Sequence, residues 1–81
     1  MNIRYAPYFK VTLRKMPENI RRKFYKQVRN LAHNIAHPSL RAKKYHESQD
    51  IWQARIDRHY RFYFRIENDT YLLLKITAHS D

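Results

Sequence analysis

The spacing of apolar residues changes period near the middle of the chain, and that change divides the sequence into a helical half and a stranded half. Ile20, Phe24, Val28, Leu31 and Ile35 follow spacings of 4, 4, 3 and 4, which line one face of a helix. Arg21, Arg22, Lys23, Lys26 and Arg29 occupy the rest of its circumference. Glu18 falls in the first turn, where the helix dipole favours a carboxylate. Helix propensity fades at His33-Asn34, and His37-Pro38 ends the element. Before it, Phe9, Leu13 and Met16 make a shorter stripe. Pro7 opens that first helix at a position where a missing N–H costs nothing. Pro17 closes it by pushing Met16 out of helical geometry. The pair reads as a helical hairpin with a tight Met16-Pro17 joint. At the N-terminus, Ile3 and Tyr5 alternate with Asn2 and Arg4, as in a short strand.

From residue 39 the period is two. Ile51–Asp57, Tyr60–Glu67 and Thr70–Ala78 are rich in β-branched and aromatic residues and predict strands. The cationic stretch Leu40–Tyr45 is a further strand candidate, with the poorest pattern of the set. Polar turn formers separate these segments at residues 46–50, at Arg58-His59 and at Asn68-Asp69. The chain has no glycine, so Asn and Asp must supply left-handed turn residues. The order β-α-α-β-β-β-β predicts an α+β domain over residues 1–81, with both helices on one face of a mostly antiparallel sheet.

Alternation assigns faces. Trp52, Ala54 and Ile56, then Phe62, Phe64 and Ile66, then Leu72, Leu74 and Ile76 share the helix side. The open side receives Gln53, Arg55 and Asp57, then Arg61, Tyr63, Arg65 and Glu67, and finally Lys75, Thr77 and His79. Keeping the apolar sides together requires paired residue numbers to sum to an even value. Glu67 then faces Tyr71, Tyr63 faces Lys75, and Arg61 faces Thr77. A two-residue Asn68-Asp69 turn breaks this parity, so a longer loop or a bulge is expected. His79 lies diagonal to Arg61, within reach of long side chains.

Composition turns this face into a chemical clue. The 81 residues carry 17 Lys and Arg against 7 Asp and Glu, a net charge of +10. One Trp, seven Tyr and four Phe are too many aromatics for a disordered basic tail. The lack of Cys excludes disulfides, thiolate zinc sites and Cys nucleophiles. Without Gly there is no P-loop or dinucleotide fingerprint. No apolar run is long enough to span a membrane, and Met1-Asn2-Ile3-Arg4 lacks a signal peptide's apolar stretch. A soluble, cytoplasmic protein is expected. Clustered like charge opposes compaction, so the Arg55, Arg61, Arg65 and Lys75 face implies an anionic partner, and a strongly basic chain points to nucleic acid. The plainer alternative is a polar outer face whose cations guard sheet edges.

Single residues keep two readings each. Trp52 belongs with the core rather than with base stacking. Tyr63 is either a stacking platform for a splayed base or exposed filler. His33 and His37 have a chelating spacing, but Pro38 and the absence of nearby carboxylates in sequence argue against a metal. His46 and His59 fall in loops, as ordinary surface or as additions to the open face.

The stretch His37–Lys44, then Ile51-Trp52-Gln53-Ala54-Arg55-Ile56, then Tyr60-Arg61-Phe62-Tyr63-Phe64, closing with Ile76-Thr77-Ala78-His79, resembles the RelE/ParE superfamily of toxins from bacterial type II toxin–antitoxin systems. The resemblance covers nearly the whole chain. It implies two helices on one side of a curved antiparallel sheet. It also implies a ribosome-dependent mRNA endoribonuclease of RelE or YoeB type, working without metal or cofactor. The alternatives within the superfamily are a ParE-like DNA gyrase inhibitor and a non-catalytic RNA- or antitoxin-binding member. Implied partners are ribosome and mRNA, an acidic antitoxin from an adjacent gene, and operator DNA through the antitoxin complex alone. By the same resemblance Arg61 stands at the catalytic arginine, Arg55 is a second phosphate ligand, and His79 matches the C-terminal histidine of the YoeB-like branch, a general acid. Lys43 and Lys44 stand near RelE's lysines, and with Tyr63, Arg65 and Lys75 form the expected RNA-binding set. The basic circumference of the second helix is a solvated face or a ribosomal RNA docking surface. Two departures stand out. Residues 38–45 contain no carboxylate where the YoeB-like branch carries its glutamate base, since Glu47 and Asp50 come later. The chain ends Ser80-Asp81, where several members have tyrosine.

Overall fold

The computed structural model describes residues 1–79; the Ser80-Asp81 terminus compared above lies outside the described residues. The elements are β1 (Asn2–Tyr5), α1 (Phe9–Arg14), α2 (Glu18–His33), a 3₁₀ turn (Pro38–Leu40), β2 (Lys43–His46), β3 (Ile51–Arg55), β4 (Tyr60–Glu67) and β5 (Thr70–Ala78). The five strands form one sheet in the order β1-β5-β4-β3-β2. Only β1 and β5 pair in parallel. Both helices pack on one face of this mixed sheet, as the α+β reading expects. No helix among the described residues is long and apolar enough to cross a membrane.

The hairpin joint is built from backbone and one arginine. The N–H groups of Ile20 and Arg21 donate to the Pro17 carbonyl, each at 3.0 Å. The Arg21 guanidinium reaches back to the carbonyls of Arg14 and Met16, which α1 leaves without helical partners. α1 starts at Phe9, not at Pro7: Ala6 N–H still bonds to the Leu73 carbonyl at 2.8 Å, prolonging the β1–β5 pairing. The chain must then turn abruptly, and Tyr8 does so in the left-handed region at φ 69°. α2 stops at His33, and Asn34 is extended, so Ile35 joins the core margin from outside the helix. Leu40, expected in a strand, is instead fully buried in the 3₁₀ turn. The following Arg41 is left-handed at φ 46°, and β2 begins two residues later.

The β4–β5 hairpin resolves the parity problem with a bulge. Arg61 faces Thr77 and Tyr63 faces Lys75, as read from the sequence, but the register shifts between Tyr63 and Phe64. Phe64 then faces Leu73, and Glu67 faces Thr70 rather than Tyr71. This permits the two-residue Asn68-Asp69 turn, with Asn68 left-handed at φ 56°, a geometry whose twist suits a hairpin. The extra residue, Leu74, reverses sidedness below it. Tyr71 and Leu73 (5% and 0% exposed) therefore fill the core places assigned above to Leu72 and Leu74, which are half-buried.

Candidate functional site

The open side of β3 and β4 carries Gln53 opposite Tyr63 and Arg55 opposite Arg61. Arg61 lies between Arg55 on β3 and Thr77 on β5. A cleft of about 410 Å³ opens over them, lined by Arg41, Lys43, Gln53, Arg55, Arg61 and His79. No carboxylate lines it among the described residues.

Two arginines directly opposite each other repel, and the structure offsets this by fixing one of them. Arg61 is only 8% exposed, and its Nη1 donates to the Asp57 carbonyl at 2.6 Å and the Tyr60 carbonyl at 3.0 Å. The guanidinium is thus held by the turn between β3 and β4. Asp57 organises that turn: Oδ1 accepts the N–H groups of His59 at 2.8 Å and Tyr60 at 3.0 Å. The Lys23 ammonium of α2 meets Oδ2 at 3.3 Å. The His59 carbonyl in turn accepts the His79 N–H at 2.6 Å, tying the end of β5 to the same turn. One aspartate therefore orders the segment on which both Arg61 and His79 depend.

Burial pushes the Asp57 carboxyl up, but the His59 N–H, the Lys23 ammonium and the Tyr60 N–H outweigh it, leaving the group below its ordinary value. A carboxyl depressed on folding stabilises the folded state fully above its unfolded value, about 4, and loses that contribution as pH falls through the lower folded value. Wild type is therefore expected to melt at higher temperature than Asp57→Asn at pH 7, with the gap closing as pH falls below about 4. A gap independent of pH between neutrality and pH 3 contradicts this.

The other predicted site residues do not all gather here. Lys43 lines the cleft, whereas its neighbour Lys44 pairs with Trp52 across β2–β3 and points to the other face. Its ammonium sits 5.6 Å from the Trp52 ring centre and pairs with Asp50, whose hydrogen bond raises the lysine's pKa. Tyr63 is on the cleft side but is neither an exposed platform nor exposed filler, being 7% exposed. Its hydroxyl accepts from the Gln53 amide at 3.0 Å. The Tyr45 ring meets it edge-on at 4.9 Å, and Lys75 Nζ lies 5.0 Å from its centre. Tyr63 and the exposed Lys75 beside it share this side of the sheet without lining the cleft. Arg65 shares the side but stands away from the cleft, its Nε donating to the Gln49 carbonyl at 3.3 Å.

Trp52 is half-buried on the helix side, stacked on Phe64 with ring centres 6.2 Å apart. Of the two histidines expected in loops, His46 instead ends β2, opposite Ile51, and contacts Ser48 at 3.1 Å, while His59 lies in the β3–β4 turn and contributes the carbonyl described above. His37 Nδ1 accepts the Ser39 N–H at 3.3 Å and so caps the 3₁₀ turn. Among the described residues no group of three His, Asp or Glu side chains is placed to hold a metal ion. Arg41 and Gln53 join the cleft without having been singled out. Parity placed Gln53 on this side; Arg41 follows an irregular turn, where no period signals its direction.

The model of the ParE toxin of type II toxin–antitoxin systems, parDE, matches residues 3–81. The chain belongs to this family. No curated protein matches this ParE-family toxin in sequence. Solved structures match it in fold. The RelE toxin of an archaeal RelE–RelB complex from Pyrococcus horikoshii OT3 superposes with TM-score 0.80 at 16% identity, covering 95% of this chain and 92% of that one. A YoeB/ParE toxin from Agrobacterium tumefaciens gives TM-score 0.81 at 13% identity, over 99% and 100% of the two chains. A heterotetrameric YoeB–YefM toxin–antitoxin complex from Staphylococcus aureus gives 0.76 at 13%, over 99% and 98%. The fold is shared by ParE, RelE and YoeB toxins alike, so the ParE-family toxin's target has to be argued from its own cleft.

Proposed function

We propose that this toxin is a ribosome-dependent mRNA endoribonuclease that works without a metal ion. The observation that carries the reading is the meeting of Arg55, Arg61 and His79 in one basic cleft. In the proposed reaction the ribose 2′-oxygen attacks the adjacent phosphorus, forming the O2′–P bond as the P–O5′ bond breaks. The products are a 2′,3′-cyclic phosphate and a free 5′-hydroxyl. Arg61 and Arg55 take the charge gathering on the non-bridging oxygens, a task suited to a planar, forked cation. The His79 imidazolium gives its proton to the departing 5′-oxygen. The 2′-hydroxyl proton passes to solvent water.

The same positive cleft suits an acidic antitoxin segment as a cover, in keeping with the RelB and YefM complexes of the structural relatives. Cytoplasmic action on translating ribosomes follows from that reading. A gyrase-directed activity is the second reading, favoured by the ParE identity of the matching family and by the lack of a carboxylate in residues 38–45.

Induction in cells separates the two. Toe-printing is expected to show mRNAs cut within codons on arrested ribosomes, with cleavage lost in His79→Ala. Intact mRNA together with arrested replication overturns the nuclease reading in favour of gyrase.

A further inference from the structure

We infer that the groove between the polar face of α2 and the β3–β4 turn is a second phosphate-binding site, through which a single RNA strand continues out of the cleft. This rests on the reading of the cleft as an RNA site and extends it.

The groove, about 710 Å³, is larger than the cleft itself and shares Arg41 and Arg55 with it. Those two side chains form a ridge with a cavity on either side. Beyond it the lining adds Lys23, Lys26 and Arg58. Asp57 is the one carboxylate among the described lining residues, and its charge is engaged by Lys23 at 3.3 Å. The groove therefore presents an excess of positive charge continuous with that of the cleft. A phosphodiester chain, charged at every nucleotide, matches this continuity better than a ligand with one anionic group.

The floor is polar and fixed. Gln27 is 6% exposed, and its Nε2 donates to the carbonyls of Arg55 at 2.8 Å and Ser39 at 3.1 Å. Its Oε1 accepts from Asn30 Nδ2 at 2.8 Å and Ser39 Oγ at 3.1 Å. A buried amide that makes hydrogen bonds through both ends locks α2, the 3₁₀ turn and β3 together under the groove. The rim cations come from α2 (Lys23 and Lys26), the turn before β2 (Arg41), β3 (Arg55) and the β3–β4 turn (Arg58). Such a preset, polar, basic channel suits a backbone-tracking strand rather than an apolar helix.

The test uses the full chain and 2′-O-methyl oligoribonucleotides, which cannot be cleaved. A labelled trinucleotide fills the cleft alone, and a nonanucleotide fills both sites. The variant is Lys26→Ala/Arg58→Ala, two exposed positions outside the hydrogen-bonded floor. Wild type is expected to bind the nonanucleotide more tightly than the trinucleotide. The double variant is expected to lose roughly tenfold in nonanucleotide affinity at low salt, with a salt slope shallower by about 1.4, two single-strand phosphate contacts. Its trinucleotide affinity stays at the wild-type value. Equal nonanucleotide affinity and slope in variant and wild type overturn the groove site while leaving the cleft reading intact. Failure of wild type to bind either RNA overturns the cleft reading as well. If the variant instead loses poly-glutamate binding and keeps its RNA affinity, the groove serves an acidic peptide and the RNA path is wrong.

Discussion

Arg61→Ala is expected to lower RNA cleavage by about 10²–10³-fold, the loss typical of removing one preorganised donor of a transition-state site, while leaving the domain folded. The side chain lies on the helix-free side of β4, and its Nη1 donates to the carbonyls of Asp57 and Tyr60. A guanidinium has five N–H donors in a fixed plane, so this clamp orients the group without exhausting it. Truncation costs two bonds from a charged donor to turn carbonyls, roughly 1.5–3 kcal/mol each. The Asp57 side chain still holds the turn through His59 and Tyr60. Arg61→Lys keeps the charge but loses the planar fork, and is expected to fall between wild type and alanine. Cleavage of ribosome-bound mRNA, measured beside thermal unfolding, separates the outcomes. Retained cleavage removes Arg61 from the chemistry. Loss of the folded state shows that its role is structural.

The largest stability effect is expected from Phe24→Ala, at about 3–5 kcal/mol. Phe24 is fully buried and joins three parts of the molecule. Its ring centre lies 5.4 Å from Phe9 of α1 and 5.5 Å from Phe62 of β4, the latter edge-on. Removing it leaves a cavity where both helices meet the middle of the sheet. For a small domain whose total stability is about 5–15 kcal/mol, this is a large fraction. The urea midpoint should fall with little change in slope. A loss below about 0.5 kcal/mol, the range of surface changes, places the ring outside the core. Because α2 also carries Lys23 and Gln27, the same cavity is expected to loosen the Arg61 turn and depress cleavage.

The open face was legible because it depends on alternation alone. Arg55 and Arg61 reach a common cleft from neighbouring strands, and His79 joins them one residue beyond β5; Lys43, which also lines it, was singled out by the family resemblance and not by alternation. The same logic failed at Leu72 and Leu74. Alternation assumes uninterrupted pairing, and the preference of Asn68-Asp69 for a tight turn forced the register shift between Tyr63 and Phe64. Lys44 shows the limit in another form. Adjacent lysines on a strand point to opposite faces, so Lys43 and Lys44 cannot serve the same cleft. Tyr63 was placed on the right side, yet its burial depends on Tyr45 and Lys75. Those contacts come from strands on either side and leave no mark in the local pattern.

Element type, the helix-facing side of α2 and the basic side of β3 and β4 follow from the order of residues, because each depends on a period of two or 3.6 that neighbouring residues set among themselves. The parallel docking of β1 on β5, the left-handed turn at Arg41 and the hold of Asp57 on Arg61 arise only in the folded chain. Each joins groups whose backbones must be satisfied by partners remote in sequence or by an irregular turn. Hydrophobic periodicity carries information about the side a residue faces, and none about which carbonyl will hold it still.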